Sequence, residues 1–240
     1  MRGLDLLAWL ASVSPSTRDL AIEDYLGIAE PRVASTPPGE HLIGYHASGV
    51  ASIVRMLVDV PVAPDDVVID LGSGLGKVVL LTSLLIGAST RGIELQAALV
   101  DRAREAATRC QADVRFTCAD VRAADLEDGT VFFLYVPFTG PVLLETLGRL
   151  EAIASRRAIV VCALGLELDR LASWLVRRPS DSFWLSTYDS IEFSGRRRAS
   201  QQSLISGPLA EAIASERRSD DVVLRDGPPV DAECAASAYM

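Results

Sequence analysis

Lysine is almost missing from this chain of 240 residues. Lys77 is the only lysine among 23 basic residues, the remainder being arginine. Asparagine is absent altogether, histidine occurs twice and cysteine four times. Cys110, Cys118, Cys162 and Cys234 show no paired metal-ligand spacing, and no His/Cys/carboxylate cluster has it either, so no metal is implied. The thiols read as buried, reduced cysteines of a cytoplasmic protein. Positive charge is scarce overall: 32 acidic residues leave a net charge of −9. Phosphate contacts need a basic face, so this balance argues against nucleic acid as a partner. The one dense basic run, Arg196-Arg197-Arg198, reads as a solvated strand end. No apolar run reaches membrane-spanning length, so no membrane partner is expected. The N-terminus carries only Arg2 and Asp5 around a short apolar segment, without a small-residue cleavage site. It therefore reads as an amphipathic helix and not as a signal peptide.

What is present is a large apolar fraction, 49%, enough for one sizeable folded core. The chain is organised around Asp66-Val67-Val68-Ile69-Asp70-Leu71-Gly72-Ser73-Gly74-Leu75-Gly76-Lys77-Val78-Val79-Leu80. A short apolar run ends at Asp70, passes three alternating glycines and enters an apolar-periodic segment, 78–86. That order predicts strand, tight loop and helix. Glycines let the backbone approach a ligand closely, and a helix start offers unpaired N–H groups. The spacing separates the ligands. A phosphate-binding P-loop needs four residues between its glycines and then Gly-Lys-Ser/Thr, whereas three separate Gly72 from Gly76 and Val78 follows Lys77. The dinucleotide fingerprint would need glycine where Lys77 stands. An acidic-x-Gly-x-Gly-x-Gly loop remains, which other ligand-binding α/β domains can also carry.

Along the chain, 1–30 predicts two helices broken at Ser14-Pro15-Ser16, and the prolines between 31 and 39 predict a linker. Gly44-Tyr45-His46-Ala47-Ser48 precedes a helix bearing Val50, Ile53, Val54, Leu57 and Val58. Strands are expected over 90–95, 113–121, 131–138 and 157–164, with helices over 96–110, 141–155 and 166–176. Two alternating segments, 182–188 and 190–196, read as a final antiparallel pair. A strand and a helix are expected within 204–213, then a charged, Gly/Pro/Ala-rich tail.

Asp70-Leu71-Gly72-Ser73-Gly74-x-Gly76 resembles motif I of the class I S-adenosylmethionine (SAM)-dependent methyltransferases. The segment from Asp70 to Val79 also looks like the glycine loop of lysine methyltransferases of the disruptor-of-telomeric-silencing type and their small prokaryotic relatives. The resemblance covers 44–196 and implies an α/β fold: a Rossmann-like doubly wound, mostly parallel sheet of seven strands. On this reading 1–43 is an N-terminal helical appendage and linker, 44–199 the SAM-binding domain, and 200–240 a C-terminal extension.

The same resemblance implies the site. Asp70 and the loop of Gly72, Ser73, Gly74 and Gly76 would hold the methionine end of S-adenosyl-L-methionine. Glu94, 24 residues beyond Asp70 and followed by Leu95, stands where a second strand end brings a carboxylate to the ribose. Asp120 and the backbone of Val121 would read the adenine. Tyr135 offers the nearest polar group to the transferred methyl, Tyr45 would line the site, and His46 is the candidate general base, a role to which the imidazole as a residue type is suited. Methyltransferases acting on nucleobase or amide nitrogens often carry Asn/Asp-Pro-Pro-aromatic after the fourth strand; this chain has Val136-Pro137-Phe138, which argues against such a base and leaves an aromatic-lined, apolar acceptor site. The acceptor implied is a small molecule or a protein side chain, a lysine amine among them. Two other classes share parts of the pattern: an NAD(P)-binding Rossmann oxidoreductase, and a methyltransferase-fold interaction domain without turnover. Oligomeric state is not legible.

Overall fold

The computed structural model describes residues 1–28, 39–180, 182, 184–191 and 204–216. Two helices open the chain, α1 (Gly3–Ser12) and α2 (Pro15–Leu26), and α3 (Val50–Asp59) follows. Alternation then sets in: β1 (Val67–Leu71), α4 (Lys77–Ile86), β2 (Ser89–Glu94), α5 (Ala97–Cys110), β3 (Val114–Cys118), β4 (Val131–Tyr135), α6 (Gly140–Ala154) and β5 (Val160–Leu164). β6 (Leu175–Arg177), β7 (Leu185–Ser190) and α7 (Pro208–Ala214) complete the described elements.

The described strands form one sheet in the order β3-β2-β1-β4-β5-β7-β6. β1 pairs in parallel with β2 and β4, β2 with β3, and β4 with β5, while β7 runs antiparallel to both β5 and β6. The order reverses between β2 and β4 on either side of β1. Ligands of open α/β sheets settle at that reversal, beyond the carboxyl ends of the strands, and Asp70 lies there with Gly92 and Phe133 as its register partners.

Helices cover both faces. On one, α6 packs Leu143, Leu147 and Leu150 against Ile69, Phe132 and Tyr188. On the other, every residue of α4 is buried, because α1, α2 and α3 lie over it as an outer layer. Leu6, Leu10, Ile22, Leu26, Ala210 and Ile213 share one apolar cluster with Leu80, Leu81 and Leu84 of α4. The two expected N-terminal helices thus form the outer wall of the glycine-loop face, and α7 packs against α3 and α1 beside them. Arg18, buried on α2, fastens this layer: it donates to the carbonyls of Leu10 (2.6 Å) and Val13 (2.8 Å) and pairs with Glu216.

The edge of the sheet departs from expectation. No helix forms over 166–176; turns lead instead into β6. The end of the segment is instead taken onto the sheet: Leu175, Val176 and Arg177 register with Ser190, Asp189 and Tyr188 of β7, while the Tyr188 hydroxyl accepts from the Leu168 N–H (2.9 Å) and donates to the Asp169 side chain (3.0 Å). The antiparallel partner of β7 is therefore β6, and β7 runs through Ser190 instead of starting a new strand there. The segment 192–196, expected as that second strand, lies outside the described residues, as do Arg196 to Arg198, most of the 31–39 linker and the tail from 217. Among the described residues of 204–213 only α7 is regular. Among the described residues no helix is long and apolar enough to cross a membrane, and no group of His, Cys, Asp and Glu could hold a metal ion.

Candidate cofactor and acceptor cleft

Beyond the carboxyl ends of β1, β2 and β4 lies an open cleft, lined from the glycine loop, the end of β2 and the segment after β4. Its floor is the glycine loop. Gly72 and Gly74 adopt left-handed φ values of 92° and 54°. A side chain on either is also excluded by space: a Cβ on Gly72 would stand 2.3 Å from Pro137, and one on Gly74 2.4 Å from the Tyr45 ring. The N–H groups of Gly72 and Ser73 both donate to the Ile93 carbonyl, at 2.8 and 3.0 Å. Those bonds fasten the loop to β2.

Three carboxylates line the cleft. Asp70 is 4% exposed; loss of water raises its pKa to about 8, and the neighbouring Glu94 adds to the rise. Glu94 is 8% exposed and accepts from the Gly74 N–H at 3.0 Å and the Gln96 N–H at 2.8 Å. It thereby bridges the glycine loop to the start of α5. Asp120, half-buried, accepts a forked contact from Arg122 at 2.7–3.2 Å, and this hydrogen bonding holds its pKa below the usual range.

The opposite wall is a strap, 39–48, laid along the segment after β4. Ile43 N–H donates to the Pro137 carbonyl (3.1 Å), Thr139 N–H donates to the His41 carbonyl (2.8 Å), and Leu42 bridges to Phe138. Val136, between Tyr135 and Pro137, has φ +35°, strain that for a β-branched residue costs roughly 1–3 kcal/mol. It sits where β4 turns into the cleft wall.

Of the residues expected from sequence, Tyr45, His46, Asp70, Gly72, Ser73, Gly74, Glu94, Leu95, Asp120, Val121 and Tyr135 all line this one cleft. Gly76 does not. Its φ is +81°, and the space a Cβ would need is taken by Phe116, 2.4 Å away, so it turns the loop into α4 from behind. His46 is exposed, whereas Tyr45 and Tyr135 are half-buried. Sequence reasoning brought Tyr45 and His46 to the cleft but missed the pairing of their strap with the segment after β4, and the partners of Lys77. The Lys77 ammonium is held by Asp19 (2.6 Å) and Glu23 (2.7 Å) of α2, contacts across more than fifty residues that no local pattern announces.

The arrangement fits a nucleoside-bearing cation. Acid lines the cleft, the glycine loop leaves a face without side chains, and the buried Ser73 hydroxyl has no hydrogen-bond partner among the described residues. Residues 68–154 match the family model of the methyltransferase domain. An RNA methyltransferase from Salinibacter ruber, solved with S-adenosyl-L-homocysteine, is 27% identical with a TM-score of 0.51, over 60% of this chain and 92% of that one. A protein of Pyrococcus horikoshii is 16% identical with a TM-score of 0.43, over 52% of this chain and 82% of that one. No curated protein matches the chain. Fold and cleft define a Rossmann-like, cofactor-binding α/β protein. More particularly, the chain carries a class I SAM-dependent methyltransferase domain, with S-adenosyl-L-methionine as its cofactor.

Proposed function

We propose that the chain methylates a neutral or cationic nucleophile on a small molecule or a protein side chain, amines such as lysine included. The supporting observation is the cleft's charge. Asp70, Glu94 and Asp120 line it, and its lining cation, Lys77, is already held by two carboxylates. Arg122, beside Asp120, is paired with Asp120 and Glu145. Among the described lining residues no uncommitted Lys or Arg is therefore offered to a phosphate or carboxylate on the acceptor, whereas an amine needs none.

In this reading Glu94 holds the ribose, and Asp120 with the Val121 backbone holds the adenine. Asp70, Gly72, Ser73 and Gly74 hold the methionine end, with Leu95 packing alongside and Gly76 shaping the loop. When bound, the cofactor supplies a methyl group already activated by its sulfonium. The protein's work is to align the acceptor and exclude water. Tyr45, Tyr135 and Phe138 give the acceptor side an aromatic wall, and the exposed His46 imidazole is the base for an acceptor that must lose a proton.

A second reading has support from the Salinibacter protein, whose name makes it an RNA enzyme; the net charge of −9 weighs against it. Calorimetric titration with SAM and S-adenosylhomocysteine, repeated on Glu94→Ala, tests the cofactor site. Transfer of labelled methyl to amine metabolites, a lysine-bearing peptide and RNA then tests the acceptor. Heat with NAD(P) and none with SAM would overturn the methyltransferase assignment. Binding without transfer to any acceptor class would point to an interaction domain.

A further inference from the structure

Lys77 is the first residue of α4, directly after the glycine loop, and its side chain is 3% exposed. Its stem lines the cleft while its ammonium points to α2, where Asp19 and Glu23, one helical turn apart, hold it at 2.6 and 2.7 Å. The same Asp19 oxygen accepts the N–H of Val50 at 2.9 Å. Val50 opens α3, which follows the strap that carries Tyr45 and His46. One carboxylate on α2 thus ties down both the helix leaving the glycine loop and the helix leaving the strap. Those two segments face each other across the methionine end of the cleft, where the Tyr45 ring lies on Gly74. Neither Asp19 nor Glu23 lines the cleft.

We propose that Asp19 and Glu23 are positioning residues for the cofactor: through Lys77 and the Val50 N–H they set the spacing between glycine loop and strap. The inference rests on the SAM assignment and goes beyond it, since it makes α2, which touches no cofactor, part of cofactor affinity. Coupling of this kind is reciprocal. Cofactor binding must quiet α2 by the same free energy with which α2 tightens the cofactor.

Glu23→Gln leaves the Asp19 contact in place, and Asp19→Asn/Glu23→Gln removes both charges. The measurements are the Kd for S-adenosylhomocysteine, taken well below each variant's Tm, and hydrogen exchange across 15–26 with and without that ligand. Expected are slowed exchange in α2 of the wild-type chain on binding, a Kd weakened roughly tenfold or more in the double variant, and loss of the ligand's effect on α2. A latch that merely holds a helix would lower Tm, leave the Kd of the folded variants at the wild-type value and leave α2 exchange indifferent to ligand; that result overturns the proposal. If the double variant does not fold, Glu23→Gln and the wild-type exchange experiment decide alone. Absence of binding to the wild-type chain would instead sink the cofactor assignment, and the proposal with it.

Discussion

Asp70→Asn is expected to stabilise the protein while damaging its site. In the unfolded chain the carboxyl titrates near 3.8, whereas in the fold it is raised to about 8, first by burial and then by Glu94. The native state therefore holds a proton that the unfolded state has already released, and stability must fall as pH rises from the unfolded pKa through the folded one. At about 1.36 kcal/mol per pKa unit the full shift corresponds to a ceiling of roughly 5–6 kcal/mol, of which about 4 is already lost at pH 7. An amide in the same place carries no charge to desolvate. Urea unfolding of both proteins from pH 4 to pH 9 measures the difference. The gain from Asp70→Asn should be small at pH 4, widen through neutrality and level off above pH 8. SAM titrations should move oppositely. The sulfonium cation favours ionised Asp70, so wild-type binding at pH 7 should release a proton, visible as heats that depend on the buffer, and the variant should bind weakly without release. Parallel stability–pH curves for the two proteins would refute the reasoning.

Glu94→Ala removes the acceptor of the Gly74 and Gln96 N–H groups. It should cost about 1–3 kcal/mol of stability, abolish micromolar binding of S-adenosylhomocysteine in calorimetry, and lower the pKa of Asp70. Gly74→Ala forces a side chain into left-handed backbone and into the Tyr45 ring. A loss of roughly 1–3 kcal/mol in denaturant unfolding and a collapse of cofactor binding are expected, and a wild-type Kd would contradict the described loop. Arg178→Ala breaks a forked pair with Asp189 at 2.6 and 2.7 Å and a bond to the Asp59 carbonyl. It should destabilise by about 3 kcal/mol with the Kd unchanged, because that edge of the sheet lies away from the cleft.

The centre of the molecule was legible because its signals are local. Asp70, Gly72 and Gly74 announce a strand end and a loop within five residues; Glu94 closes β2, and Asp120 follows the end of β3, at the distances a βαβ path requires. The apolar runs of β1, β4 and β5 mark strands buried on both faces. Legibility failed where long-range partners overrode local pattern. The segment 166–176 has helical periodicity, but pairing of Leu175 to Arg177 with β7 takes its end onto the sheet edge. Gly76 belongs to the motif by spacing, yet Phe116 from β3 decides that it faces away from the cleft. Lys77 was readable as a cation beside the loop; that α2 claims it follows only from the packing of α1 and α2 over α4.

The burial of that lysine has a practical consequence. It is the sole ε-amine among 240 residues, and in the closed structure it is withheld from solvent and held by two carboxylates. An amine-directed acylating reagent therefore has one side-chain target, reachable only when α2 lifts from α4. The rate of modification at Lys77, followed by intact mass, becomes a clock for that opening, with no engineered probe and no background from other lysines.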